Sequence, residues 1–230
     1  MEATLVGVGL YTVSEASRLV GAAPRDIRRW MFGYDFKGAD QRTRRSEPVA
    51  GSQLQVDGTR ALTFFDLLEV RLVKELRGLD ISLQAIRKAV QHARALFGTQ
   101  HPFVLRRILT DGRAIFAQAA GDTDDGELLD LVRQQYAFRK IIERSLIKGV
   151  EFDAEDVARR WYPVPNSSSI VIDPALSFGK PIVAKQGIPT WVLHSAYLAE
   201  GRDRLRVAKQ YDVPASAVDQ AVRFETALLH

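Results

Sequence analysis

The chain has 230 residues, of which 46% are hydrophobic and 26% charged, with a formal net charge of +4 and no cysteine. That length exceeds the usual single domain and that composition excludes wholesale disorder, so two modest domains, or one with a long helical connector, are expected. The missing cysteines exclude disulfides, thiolate metal sites and cysteine nucleophiles. His92, His101, His194 and His230 show no ligand spacing such as H-x-x-x-H, so no metal or other cofactor is expected.

In chain order, Met1 to Leu10 is apolar without a basic leader, and no run of about eighteen apolar residues occurs anywhere, so a cytoplasmic protein with no membrane contact is expected. Tyr11 to Gly21 reads as a short helix: Thr12 caps it, Glu15 closes a capping box, and Gly21 ends it. Pro24 suits the first turn of a second helix, with Ile27 and Met31 as its apolar stripe. After Gly33 the periodicity disappears through a polar, arginine-rich stretch. Gln53 to Val56 and Thr59 to Phe64 flank Asp57-Gly58, the signal of a two-residue hairpin. Thr63 and Asp66 then cap a long helix carrying Leu68, Leu72 and Leu76, ended by Gly78.

Ser82 opens another helix whose seam is Leu83, Ile86, Val90, Ala93 and Phe97; two heptads leave internal packing and dimerisation equally open. Asp111-Gly112 predicts a second hairpin between 107–109 and 114–116, and the acidic run from Asp122 to Glu127 a linker. Glu127 to Lys148 reads as helix, with Leu131, Phe138, Ile142 and Leu146 on one side, and Asp153 to Trp161 as a short capped one. Pro163 to Ser169 marks a boundary. Beyond it, strands at Ile170–Ile172 and Pro181–Val183 and helices at Thr190–Glu200, Asp203–Tyr211 and Pro214–Leu229 are expected, the last two spaced as a second helix-turn-helix.

The fold class read from this pattern is mainly α: an N-terminal winged helix-turn-helix with a helical and β-hairpin extension, then a small C-terminal β-hairpin/three-helix domain. The boundaries are 1–100 for the head, 101–162 for a hairpin and helical connector, and 168–230 for the tail.

Between Arg25 and Arg45 stand seven basic residues (Arg25, Arg28, Arg29, Lys37, Arg42, Arg44, Arg45) against three acids (Asp26, Asp35, Asp40), a local excess equal to that of the whole chain. In a helix-turn-helix the second helix presents its leading side chains to the major groove while neighbouring cations hold phosphates. Arg25, Arg28 and Arg29 share one face of that helix, and Arg60 lies on the expected wing, so these eight residues are the candidate DNA contacts. An ordinary helical hairpin with a solvated basic face accounts for the same spacing.

Enzyme readings fail. Asp122, Asp124, Asp125, Glu127 and Asp130 lie in one run rather than converging from separate elements. Ser195 beside His194 points to another side of a helix. Trp30, Trp161 and Trp191 are expected in cores rather than as stacking platforms.

Residues 11–16 through 27–30, then Leu62 to Val70 and Ser82 to Arg87, resemble the winged helix-turn-helix of MerR-type regulators over about the first hundred residues. Val171-Ile172-Asp173-Pro174, Gly179 to Val183, Ile188-Pro189, Ala208 to Pro214 and Val218 to Val222 resemble a short domain of unknown function common in VapB-type antitoxins. That family's Gly-Thr-Arg-Ile-Pro is replaced by Lys185-Gln186-Gly187-Ile188-Pro189, which removes the expected arginine. The resemblance implies the antitoxin of a type II toxin-antitoxin system, a repressor that binds duplex DNA at its own operator and silences a PIN-domain ribonuclease toxin, with Lys180 and Lys185 as candidate toxin contacts. A homodimer or a larger toxin-antitoxin hetero-oligomer is expected. A stand-alone MerR-like transcription regulator, and an interaction scaffold without DNA binding, are the alternatives.

Overall fold

Thr12 opens the first helix because its hydroxyl accepts the Glu15 N–H (3.2 Å) while the Glu15 carboxylate accepts the Thr12 N–H (2.8 Å). Two donors that a helix start leaves orphaned are thereby satisfied. The computed structural model describes residues 7–38, 40–51, 54–56 and 58–229, so Met1 to Val6, Ala39, Ser52, Gln53, Asp57 and His230 lie outside the described residues. The chain forms two units: a head of Tyr11–Lys148 with Phe152–Ala158, and a tail of the described residues up to Leu10, Gly149–Glu151 and Arg159 onward.

In the head, α1 (Val13–Val20) ends at Gly21 in the left-handed conformation (φ 68°), and α2 (Pro24–Phe32) follows after one tight turn. Ser17 holds that turn, its hydroxyl donating to the Ala22 carbonyl at 2.7 Å. Ala16, Val20, Ile27, Trp30 and Met31 bury the corner, Trp30 as expected. The arginine-rich stretch is not irregular: β1 (Tyr34–Lys37) pairs antiparallel with β2 (Thr43–Ser46), Asp35 opposite Arg45 and Phe36 opposite Arg44. The hairpin expected next is present in shortened form, as β3 (Gln55–Val56) and β4 (Thr59–Arg60). Reciprocal bonds between Tyr11 and Leu62, 2.9 and 2.8 Å, return the chain to the start of α1.

Helix α3 (Phe64–Arg77) carries the capping box of Thr63 and Asp66 and buries Leu67, Leu68, Val70, Leu72, Val73 and Leu76. Helix α4 (Leu83–Phe97) buries Ala85, Ile86, Ala89, Val90 and Ala93, and packs chiefly on α5 (Ile108–Thr123), so its seam is spent inside the head. That helix overturns the hairpin expected at Asp111-Gly112. Ile108, Ile115, Phe116, Ala119 and Ala120 supply a buried stripe at helical spacing, and Gly112 is buried within the same helix. The acidic run is likewise not a linker. Asp124 closes α5, and Asp125 caps α6 (Gly126–Arg133), accepting the N–H groups of Leu128 (2.9 Å) and Ser82 (3.0 Å). Non-helical backbone at Gln134 separates α6 from α7 (Gln135–Ile142), which runs on into a π-helical turn at Glu143–Ile147. Leu131, Phe138, Ile142 and Leu146 are buried as their periodicity predicts.

The short helix expected at Asp153 to Trp161 is instead a hairpin of β5 (Val150–Phe152) and β6 (Ala158–Trp161). The Asp153 carboxylate caps a turn rather than a helix, accepting the Glu155 and Val157 N–H groups at 3.1 and 2.8 Å.

In the tail, β7 (Ile170–Val171) pairs with β8 (Ile182–Val183). Three helices follow as expected: α8 (Thr190–Ala199), α9 (Arg204–Gln210), capped by Asp203, and α10 (Ala215–Ala227), which packs on the other two. Ile170, Ile172, Ile182, Leu193, Val207, Val218 and Ala221 form the core, and the buried Thr190 hydroxyl donates to the Glu225 carboxylate. Among the described residues no helix is long and apolar enough to cross a membrane.

Candidate nucleic-acid interface

Helix α2 is oriented by its apolar side. Ile27, Trp30, Met31 and Phe32 are buried, which turns Arg25 and Arg28 to solvent and leaves Arg29 half-buried. Among the described residues the side chains of Arg25, Arg28 and Lys37 make no hydrogen bond or ion pair, so their donors face water. Arg29 differs: its guanidinium lies 4.0 Å from the centre of the Tyr34 ring, and its positive charge beside the phenol lowers the phenol's pKa. It locks β1 onto α2 rather than standing free beside Arg28.

The β1–β2 hairpin brings three further arginines under control. Gly33 (φ 73°) joins it to α2 where a Cβ would lie 2.5 Å from the Ser46 carbonyl oxygen, so only glycine fits. Arg87 of α4 holds the second strand at that same end, donating to the Ser46 hydroxyl (2.6 Å) and the Glu47 carbonyl (2.8 Å). On and beside β2, Arg44 and Arg42 pair with Asp40 at 3.1 and 4.0 Å. Arg45 reaches Asp35 at 3.5 Å and Glu47 at 3.6 Å, and donates to the Phe32 carbonyl at 3.2 Å. These arginines stay 48% to 85% exposed. Exposed pairs of this kind are worth about 0–1 kcal/mol, too little to withhold the guanidinium from a phosphate, which it can grip with two parallel bonds.

Arg60 of β4 lies over the Phe32 ring, 5.2 Å from its centre. A groove of about 500 Å³ is lined by Thr12, Ser14, Arg28, Phe32, Thr59 and Arg60. The leading helix, the second helix and the wing thus present hydroxyls and two cations to one concavity. Sequence reasoning missed Thr12 and Ser14 as lining residues, and missed Tyr34 and Arg87 as supports. A stretch without apolar alternation gave no sign of the hairpin that Tyr34 begins.

The tail offers less positive surface. Lys180 is half-buried and donates to the Leu10 carbonyl at 3.2 Å, whereas Lys185 is exposed on the turn between Val183 and Ile188. The α9–α10 corner repeats the helix-turn-helix spacing, but Arg206 pairs with Glu200 (2.7 Å), Arg204 pairs with Asp219, and α10 begins with Ala215, Ser216 and Ala217. It lacks a cationic leading turn. Trp161 is buried as expected, but Trp191 is 55% exposed, because α8 packs through Thr190 and Leu193 on another side. Leu198, 52% exposed and seven residues on, shares the Trp191 face. The acidic residues discounted as a nuclease centre do not converge: Asp122 bonds His92 (2.8 Å), Asp125 is a helix cap, and Asp130 pairs with Arg133 (3.5 Å).

Comparison with known proteins bears on this geometry. The family described as "Putative DNA-binding HTH domain" matches residues 9–90, which span both helices and both hairpins of the arginine-rich face. A second family, described as "Protein of unknown function (DUF433)", matches residues 170–224 of the tail. A curated protein of Mycobacterium tuberculosis, "Putative antitoxin VapB45", is 25% identical over 191 residues, 79% of each chain. These findings fit a VapB-type antitoxin with a helix-turn-helix. They support an antitoxin-like, DNA-binding role and point to a non-catalytic regulator. The crystal structure of Rv2018 from the same organism shares the fold, with a TM-score of 0.70 at 22% identity over 94% of this chain and 98% of that one. The mainly α fold with an N-terminal helix-turn-helix, expected from the sequence, is the one observed.

Proposed function

We propose that this VapB-type antitoxin represses its own operon by binding operator DNA through the head and neutralises a PIN-domain ribonuclease through the tail. The observation that carries the DNA half is the groove in which Arg28 and Arg60 face each other's elements beside Thr12 and Ser14. Arg25 and Arg28 lead α2 and read bases; Arg60, Lys37, Arg42, Arg44 and Arg45 hold phosphates on either side of it. A homodimer supplies two such heads for two half-sites. The tail's solvent-facing Trp191 and Leu198 are the apolar anchor for the toxin, and Lys185 is the side chain free to approach its carboxylates, which gather around a divalent cation. Lys180, held by the Leu10 carbonyl, serves the tail's own structure first.

The test is co-expression with the adjacent small gene, purification of the complex, and gel-shift titration on the intergenic DNA at two salt concentrations. The expected result is a stable complex with an inactive ribonuclease, whose DNA affinity falls steeply with salt as phosphate counterions are replaced. No co-purifying partner, with DNA binding intact, would reduce the function to a stand-alone regulator. Salt-insensitive or absent DNA binding would remove the repressor role altogether.

A further inference from the structure

Helix α3 carries two acids that its packing should forbid. Asp66 and Glu69, three residues apart on one face, are both fully buried in the head. Asp66 has a structural duty, accepting the Thr63 N–H at 2.8 Å within the capping box, which fixes the carboxylate plane. Glu69 has no such duty. One of its oxygens, Oε2, lies 3.2 Å from His101 Nδ1, and the other, Oε1, is buried with no hydrogen-bond partner among the described residues. A buried carboxylate oxygen that finds no donor keeps its desolvation penalty uncompensated, so an orphan of this kind calls for an occupant. Burial correspondingly pushes the Glu69 carboxyl's pKa up.

His101 comes from the segment before α5, 32 residues beyond Glu69, and its ring packs 5.5 Å from that of Phe65. Its Nδ1 also lies 3.9 Å from Asp66 Oδ1. One donor atom from each of Asp66, Glu69 and His101 lies within 4.8 Å of the others. A metal ion bound at about 2.0–2.2 Å by imidazole and carboxylate places its ligand atoms about 3–4 Å apart, and the two separations from His101 Nδ1, 3.2 Å to Glu69 and 3.9 Å to Asp66, fall in that range. Two carboxylates and one imidazole suit a first-row divalent ion such as zinc; calcium asks for more oxygens and magnesium for a largely hydrated octahedron. The His101 side chain is 15% exposed, so the imidazole is the part of the cluster nearest solvent.

We propose that Asp66, Glu69 and His101 form a binding site for one divalent first-row metal ion, which ties the segment before α5 to α3 and closes the head's core. The two carboxylates neutralise the ion. Histidine spacing concealed the set, because only His101 is a histidine and its companions belong to a helix far away in sequence.

The test is zinc titration of the full chain after chelator treatment, followed by calorimetry, thermal unfolding and histidine-ring NMR. One zinc per chain should bind in the micromolar range or tighter, raise the melting temperature, and shift one imidazole in the wild-type protein. Glu69→Gln and His101→Gln, each checked for folding by circular dichroism, should weaken binding more than about 100-fold, since loss of even an outer partner of a metal ligand costs about 10- to 100-fold. His92→Ala removes the competing exposed His92–Asp122 pair and should change nothing. The proposal is overturned if the wild type binds no zinc in that range, or if Glu69→Gln and His101→Gln both retain it. It is equally overturned if His92→Ala abolishes the shifted imidazole. Should both site variants fail to fold, the wild-type NMR titration and the His92→Ala protein decide the question alone.

Discussion

Arg28 and Arg29 are neighbours of identical chemistry whose surroundings give them different work. Arg29 spends its guanidinium on Tyr34, whereas Arg28 borders the groove with its donors in water. Arg28→Ala should therefore weaken duplex binding about 5- to 150-fold, the cost of about 1–3 kcal/mol for losing a base-reading arginine, while unfolding in urea stays unchanged. Arg29→Ala should do the reverse in part, lowering stability by about 0.5–1 kcal/mol as the stacked cation is lost. Fluorescence anisotropy on operator DNA and urea denaturation of both variants would separate the two. Equal effects of the two substitutions on both measurements would show that the assignment of roles is wrong.

At the scale of elements, the hairpin of β1 and β2 depends on a single backbone position. Gly33 has φ 73° with ψ 179°, a conformation essentially restricted to glycine, and a Cβ there meets the Ser46 carbonyl. Gly33→Ala should cost about 1–3 kcal/mol or detach the hairpin. Hydrogen exchange should quicken at the amides of 34–37 and 43–46, with DNA affinity falling as Arg44 and Arg45 lose their mounting; unaltered exchange would refute this. The same element shows where sequence reading stops. Helices α1, α3, α4 and α8 to α10 were legible because caps such as Thr12, Thr63 and Asp203 and their apolar stripes act locally. β1 and β2 were not, since their support comes from Arg29 on one side and Arg87, forty-one residues from Ser46, on the other. At Asp111-Gly112 a local turn signal lost to the stripe from Ile108 to Ala120, and at Asp153 a capping side chain closed a turn instead of a helix. Of the candidate site, the basic residues were legible by charge alone, but the distinction between exposed Arg28, stacked Arg29 and paired Arg45 required coordinates.

For the molecule as a whole, head and tail each have their own buried core, so surface changes in one should leave the stability of the other intact. Trp191 and Leu198 are exposed on α8, and a pair of large apolar side chains at helical spacing in water is the mark of a covered surface. The joint variant Trp191→Ala with Leu198→Ala should fold normally, within about 0.5 kcal/mol of the parent. It should also bind operator DNA as the parent does. What it should lose is co-purification with the toxin proposed above, because truncating central aromatic anchors typically costs about 2 kcal/mol or more of binding energy, which is more than 10-fold in affinity. Arg28→Ala should show the opposite pattern, retaining the toxin and losing the DNA. Pull-down and anisotropy on the same two preparations decide it: if the α8 variant still carries the toxin at parental stoichiometry, the tail engages its partner elsewhere and Lys185 becomes the next residue to change.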